Sequence, residues 1–205
     1  MDAAAQPLPQ FDQTRPRRLI IGLSGSTGPH YGVRLLEVLR EQRPDIETHV
    51  ILSSAARTTI RYEMDRDPDS VAALAHTLHD ERNVAASIAS GSFITDGMVV
   101  APCSMKSLSA IANSYNDNLI ARAADVCLKE RRRLVLVVRE TPLHLGHLRL
   151  MEQVTAAGAV VLPPVPGFYH RPQTIQDLID HIVVRILDQF GIHLDLITRW
   201  QGLES

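Results

Sequence analysis

Five short aliphatic runs, at 19–23, 50–52, 98–101, 134–138 and 159–162, lack the in-and-out alternation of a half-solvated strand. Uninterrupted apolar runs of this length suit parallel strands buried on both faces. Between them lie stretches with helical spacing, roughly 29–43, 54–64, 104–113, 118–132 and 142–157, and a last one covers about 174–190. Strand and helix alternating in this way predict an α/β fold, an open parallel sheet with helices on both sides, that is, a three-layer αβα sandwich.

Punctuation fixes some boundaries. Thr141 followed by Pro142 reads as an N-cap with proline at the first helical position, and Gly158 falls where that helix should stop. Thr174 reads as the N-cap of the last helix, and Gly191 as its end. With 205 residues and 45% hydrophobic content the chain can build one core, so one domain over 17–205 is expected, preceded by a flexible tail over 1–16.

Charge narrows the class of partner. Lys and Arg total 21 against 23 Asp and Glu, for a formal charge of -2, and no block of like charge suits nucleic acid or an anionic membrane. Only Cys103 and Cys127 are present, without metal-type spacing, which fits a reducing, cytoplasmic setting. The opening residues lack the apolar core of a signal peptide, and no stretch approaches the roughly 20 apolar residues needed to span a bilayer.

In an open parallel sheet, ligands bind outside the carboxyl ends of the strands. The residues after each run share one character: Ser24-Gly25-Ser26-Thr27-Gly28, Ser53-Ser54, Pro102-Cys103-Ser104-Met105-Lys106-Ser107, Arg139-Glu140 and Pro163-Pro164. Hydroxyls, glycines and a few charges therefore collect along one edge. The first loop lets backbone N–H groups approach an anion while the next helix offers its positive N-terminus. It is neither a Walker A loop nor GxGxxG, and Ser53 stands where a dinucleotide site favours an acid, which argues for a mononucleotide. A glycine-rich turn that merely connects strand to helix remains the alternative.

Arg122, Asp125 and Lys129 share one helix face, opposite Leu119, Ala123 and Val126. A solvated surface with an internal salt bridge explains that face as readily as a site does. Arg139-Glu140 sits directly after a buried strand, where an arginine suits a phosphate and a carboxyl can exchange protons. His76/His79 and His144/His147 have helical i, i+3 spacing but no further ligand pattern, so surface or capping roles are expected and no metal site. Cys103 reads as packing, and Trp200 either anchors the tail or stacks on a ring.

Longer stretches are more specific. APCSMKSLSAIA at 101–112, DNLIARAADVCLKERRRLVLVVRETPL at 117–143, PPVPGFYHRPQT at 163–174 and RILDQFGI at 185–192 resemble the flavin prenyltransferases (UbiX-like), especially the branch labelled as the small subunit of phenolic or hydroxybenzoic acid decarboxylases. GSTG at 25–28, the serine after the second run and ASGSF at 89–93 complete the likeness.

The resemblance implies a flavodoxin-like or Rossmann-like flavoprotein that assembles as a homododecamer with FMN at subunit contacts. It implies that Gly25, Ser26, Thr27, Ser53, Ser104, Met105, Lys106, Ser107 and Arg139 hold FMN. Tyr169 and Arg185 would grip dimethylallyl phosphate, Arg122 and Lys129 would add positive charge, and Glu63 and Glu140 would be the acids near the reacting groups. The implied reaction is metal-independent transfer of a dimethylallyl group to N5 and C6 of reduced FMN, giving a prenylated cofactor for a separate UbiD-like aromatic acid decarboxylase. The family usually has serine where Thr27 stands, and the Pro29-His30 that follows is bulkier than usual. Two competing readings are direct FMN-dependent decarboxylation of an aromatic acid, and a non-catalytic FMN-binding subunit.

Overall fold

The structure, a computed structural model, describes residues 15–202. Six parallel strands form one sheet: β1 (Arg17–Leu23), β2 (Ile46–Leu52), β3 (Thr77–His79), β4 (Gly97–Cys103), β5 (Arg133–Val138) and β6 (Val160–Val161). They lie side by side in the order β3-β2-β1-β4-β5-β6, so the direction of winding reverses between β1 and β4. Six α-helices connect them, α1 (His30–Gln42), α2 (Ser54–Met64), α3 (Pro68–Ala72), α4 (Met105–Ala112), α5 (Leu119–Lys129) and α6 (Leu145–Ala156), and α7 (Ile175–Asp188) follows the last strand among the described residues.

The apolar runs behave as their composition requires. Along β1, Leu19, Ile21 and Leu23 pack into a core with α1, α2, α3 and α7, while Ile20 faces a second core with α4, α5 and α6. Both sheet faces are therefore dry, which gives the three layers expected of continuous Val/Ile/Leu strands. Pro102 lies inside β4 and has no N–H to give, and the β4–β5 register shifts between Val100 and Cys103.

Two boundaries differ from expectation. Thr141 is not a cap: the chain stays in loop through Leu143, α6 starts at Leu145, and His144 is the N-cap, its Nδ1 accepting the Gly146 N–H at 3.0 Å. The reason is that a cap must be followed at once by helical residues, and Pro142 is followed by more loop. His76 and His79 are not on a helix either. His79 ends the edge strand β3, with its Nε2 at 3.0 Å from His49 Nδ1, and His76 Nδ1 accepts the Thr48 N–H. Strand β3 went unread because its three residues are held by tertiary pairing with β2 rather than by their own propensity.

Thr174 does cap α7, in a reciprocal box with Asp177, and Gly158 (φ 106) and Gly191 (φ 64) follow the helices they were expected to end. The expected tail falls outside the described residues up to 14. At its end, the Arg15 guanidinium meets Asp96 at 2.5 Å.

Candidate anion and flavin site

The reversal point is fastened by one serine. The Ser24 hydroxyl, 2% exposed, donates to the Pro102 carbonyl at 2.8 Å and accepts the Ser104 N–H at 2.8 Å. It thereby ties the ends of β1 and β4 together where a crevice opens in doubly wound sheets.

A cavity of about 450 Å³ lies at this point, lined by Ser24, Gly25, Ser53, Ser54, Ala55, Glu81, Arg82, Ser104, Lys106, Ser107, Asp117, Asn118 and Ile120. Three helices begin there. Ser53 caps α2 by accepting the Ala56 N–H at 3.0 Å, Ser104 caps α4 by accepting the Ser107 N–H at 3.3 Å, and Asn118 caps α5 by accepting the Ala121 N–H at 3.0 Å. Three positive helix ends and the Lys106 ammonium face one space, an arrangement that favours a phosphate. Gly25 is obligatory here, because a Cβ on it would lie 2.2 Å from that of Ala55.

The rest of the rim is held by similar bonds. Ser26 donates to the Arg139 carbonyl at 2.9 Å, and the Gly28 N–H donates to the Glu63 carboxylate at 2.8 Å. Burial pushes the pKa of the Tyr31 hydroxyl, in the first turn of α1, up while the Arg139 guanidinium pulls it down. Thr27 is exposed on that loop. Glu140 is exposed as well, its carboxylate accepting the Thr141 N–H at 3.0 Å.

The expected site residues thus fall into three groups. Gly25, Ser53, Ser104, Lys106 and Ser107 line the cavity, with Ser26, Thr27, Arg139 and Glu140 on the adjoining loops and Glu63 in the last turn of α2, bonded to the first of those loops. Met105 is set apart, packing partly buried against the second core. Tyr169 and Arg185 form a second group with His181, whose Nε2 is 3.0 Å from the Tyr169 hydroxyl and which lies one helical turn before Arg185. Arg185 reaches Asp188 at 3.4 Å.

Arg122 and Lys129 form the third group, on the side of α5. Arg122 donates to the Ala89 carbonyl at 3.1 Å and pairs with Asp125 at 3.2 Å, the internal salt bridge that the sequence allowed. Lys129 pairs with Glu130 beside Gly91. Helix α5 starts at the cavity and spans roughly 16 Å at 1.5 Å per residue. Lys129, at its far end, therefore stands away from the rim of its own chain.

Sequence reading missed Glu81, Arg82, Asp117 and Asn118. Glu81 accepts the Ser54 N–H at 2.7 Å and, through its carbonyl, the Leu119 N–H at 2.8 Å, so it bridges the starts of α2 and α5. Nothing periodic marks residues 80–96. Asn118, by contrast, was visible as an N-cap residue before an amphipathic run.

The cysteines are settled by burial, which pushes both thiols up to about 12; Cys103 packs in the second core. Among the described residues, no group of three or more His, Cys, Asp or Glu is arranged to hold a metal ion, and no helix is long and apolar enough to cross a membrane.

Known proteins share this architecture and sequence. A family model described as Flavoprotein matches residues 9–187. The chain is 61% identical over 188 residues to the flavin prenyltransferase UbiX of Escherichia coli (strain K12), covering 91% of this chain and 99% of that protein. Among solved structures, AnUbiX (PadA1) in complex with FMN and dimethylallyl pyrophosphate is 51% identical with a TM-score of 0.90, covering 93% of this chain and 100% of its own. A dodecameric FMN-dependent UbiX-like decarboxylase from Escherichia coli O157:H7 is 50% identical with a TM-score of 0.88, over 90% of this chain and 100% of that one. Likeness of this extent, over a sheet whose reversal point carries a cavity where three helices begin, places the chain in the flavoprotein family and, within it, among the UbiX-like flavin prenyltransferases.

Proposed function

We propose that residues 17–205 act as one FMN-binding domain that transfers a dimethylallyl group from dimethylallyl phosphate or diphosphate to N5 and C6 of reduced FMN. The observation that carries this reading is the convergence of the α2, α4 and α5 N-termini and Lys106 on one cavity of about 450 Å³. Donors that face a common space suit a phosphomonoester, and the Cα of Gly25 leaves room for its close approach. Gly25, Ser26, Thr27, Ser53, Ser104, Met105, Lys106, Ser107 and Arg139 are assigned to FMN.

Bound and reduced, the flavin supplies the nucleophilic ring positions; the protein supplies placement and charge. Tyr169 and Arg185 hold the phosphate of the prenyl donor, the phenol by donating a hydrogen bond and the guanidinium by ion pairing. As the allylic carbon–oxygen bond breaks, negative charge gathers on the leaving phosphate, and Arg122 and Lys129 add cations that offset it. Because Lys129 stands away from its own rim, it serves the site of a neighbouring copy in a homo-oligomer, with the dodecamer of the UbiX-like relative as the expected form. Glu63 and Glu140 are assigned to take up or return protons at their carboxylates.

The product serves a UbiD-like aromatic acid decarboxylase. Two free, buried thiols suit a reducing cytoplasm. The test is to reduce the protein with FMN without oxygen, add dimethylallyl phosphate, and weigh the flavin. A gain of one prenyl unit is expected; unmodified FMN with both the phosphate and the diphosphate donor overturns the reading. Carbon dioxide released from a hydroxybenzoate by this chain alone would instead support direct decarboxylation.

A further inference from the structure

We propose that His181 is a positioning residue for the prenyl-phosphate site: its Nε2–H donates to the Tyr169 oxygen, so that the phenol's own hydrogen is left for the donor's phosphate. The inference rests on the reading of Tyr169 as a phosphate ligand.

His181 is 7% exposed on α7, and its Nε2 is 3.0 Å from the Tyr169 hydroxyl. Its other nitrogen, Nδ1, is buried and has no hydrogen-bond partner among the described residues. Burial, then the neighbouring His170 and Arg185, hold the imidazole's pKa below its ordinary value, so at neutral pH the ring carries a single proton. If that proton sat on Nδ1, a buried N–H would be left unpaired, and Tyr169 would have to spend its hydrogen on Nε2. With the proton on Nε2, only a lone pair goes unused, which is the less costly orphan.

The surroundings hold both rings in place. His170 stacks on His181 at 4.9 Å between centroids and 13° between planes, and Trp200 meets Tyr169 edge-on at 5.8 Å. Gly167 passes so close that a Cβ there would lie 3.1 Å from both the His181 and Tyr169 rings. Tyr169 remains 48% exposed, so a ligand can reach the side chain while its oxygen is held by His181. Arg185 follows one turn along the same helix face, four residues after the imidazole that meets Tyr169.

The test compares H181Q and H181N with Y169F in prenyl transfer, together with FMN affinity. The glutamine amide can reach the position of Nε2 and donate there; the asparagine amide reaches only that of Nδ1. H181Q is expected to stay within about threefold of the parent in KM for dimethylallyl phosphate, while H181N raises it about tenfold, the worth of one hydrogen bond to a charged group. Both should leave kcat and FMN affinity within about threefold, and adding H181N to Y169F should make matters no worse than Y169F alone. Equal behaviour of H181Q and H181N, whether both unchanged or both impaired, overturns the proposal. A Y169F protein with unaltered KM overturns the reading of Tyr169, and the role of His181 with it.

Discussion

The hydroxyl of Ser24 and the amide of Ser104, 80 positions apart in sequence, meet at 2.8 Å and join the two strands between which the sheet reverses. Ser24→Ala removes both bonds of a buried hydroxyl and strands the Ser104 N–H. A loss of about 1–3 kcal/mol is expected, read as a lower urea midpoint with an unchanged slope. FMN should bind more weakly in step, since the α4 cap next to that amide would lose its support.

Gly25→Ala is a sharper probe of the cavity. Its Cβ would lie 2.2 Å from that of Ala55, so the first loop must leave the start of α2. The protein should purify folded by far-ultraviolet circular dichroism yet without flavin absorbance. A yellow G25A protein would show that the loop has another way to fit.

Glu81 puts a carboxylate where a phosphate is expected, with its oxygen 2.7 Å from the Ser54 nitrogen. Glu81→Gln keeps an acceptor for that N–H and removes the negative charge. FMN affinity measured by fluorescence quenching should rise by a few-fold at low salt, and the gain should shrink as salt is added.

Asp188 gathers the C-terminal segment: Arg199 clasps it with two bonds of 2.9 Å, and His193 adds a third at 2.9 Å. Burial works to raise its pKa, but Arg199, His193 and Arg185 outweigh that and hold the carboxyl below its ordinary value. With a lowered folded pKa, the stabilisation is complete above the ordinary aspartate value of about 3.9 and is lost as pH falls through the folded one. Trp200 is the protein's one tryptophan and lies on Tyr169, so its fluorescence should report release of the segment on acidification. In Asp188→Asn the segment should already be loose at pH 7.

Both cysteines are buried with their thiols raised to about 12. Ellman's reagent at pH 8 should therefore find no reactive thiol in the native protein and two in urea. Fast reaction of either in the folded state would contradict their role as packing.

Elements with their own periodicity were legible in the sequence. Helix α2 and the Thr174 cap of α7 were readable because hydrophobic spacing and cap chemistry are local properties. The serine rim was legible too, since parallel strands all deliver their next residues to one edge. What escaped depends on distant partners. Strand β3 exists through its ladder to β2, and Glu81 reaches Ser54 across 27 residues. The helix face carrying Arg122 and Lys129 could be drawn from spacing, but not that it points toward residues 89–91 instead of the rim.

The outer strands of the sheet, β3 and β6, are three and two residues long. Edges so short offer another chain almost no backbone to pair with, which shields the fold from unwanted sheet-to-sheet growth. In the proposed homo-oligomer, copies would then recognise one another through side chains on helices and loops. Association of that kind is a matter of surface chemistry, adjustable one residue at a time without disturbing the scaffold around the cavity.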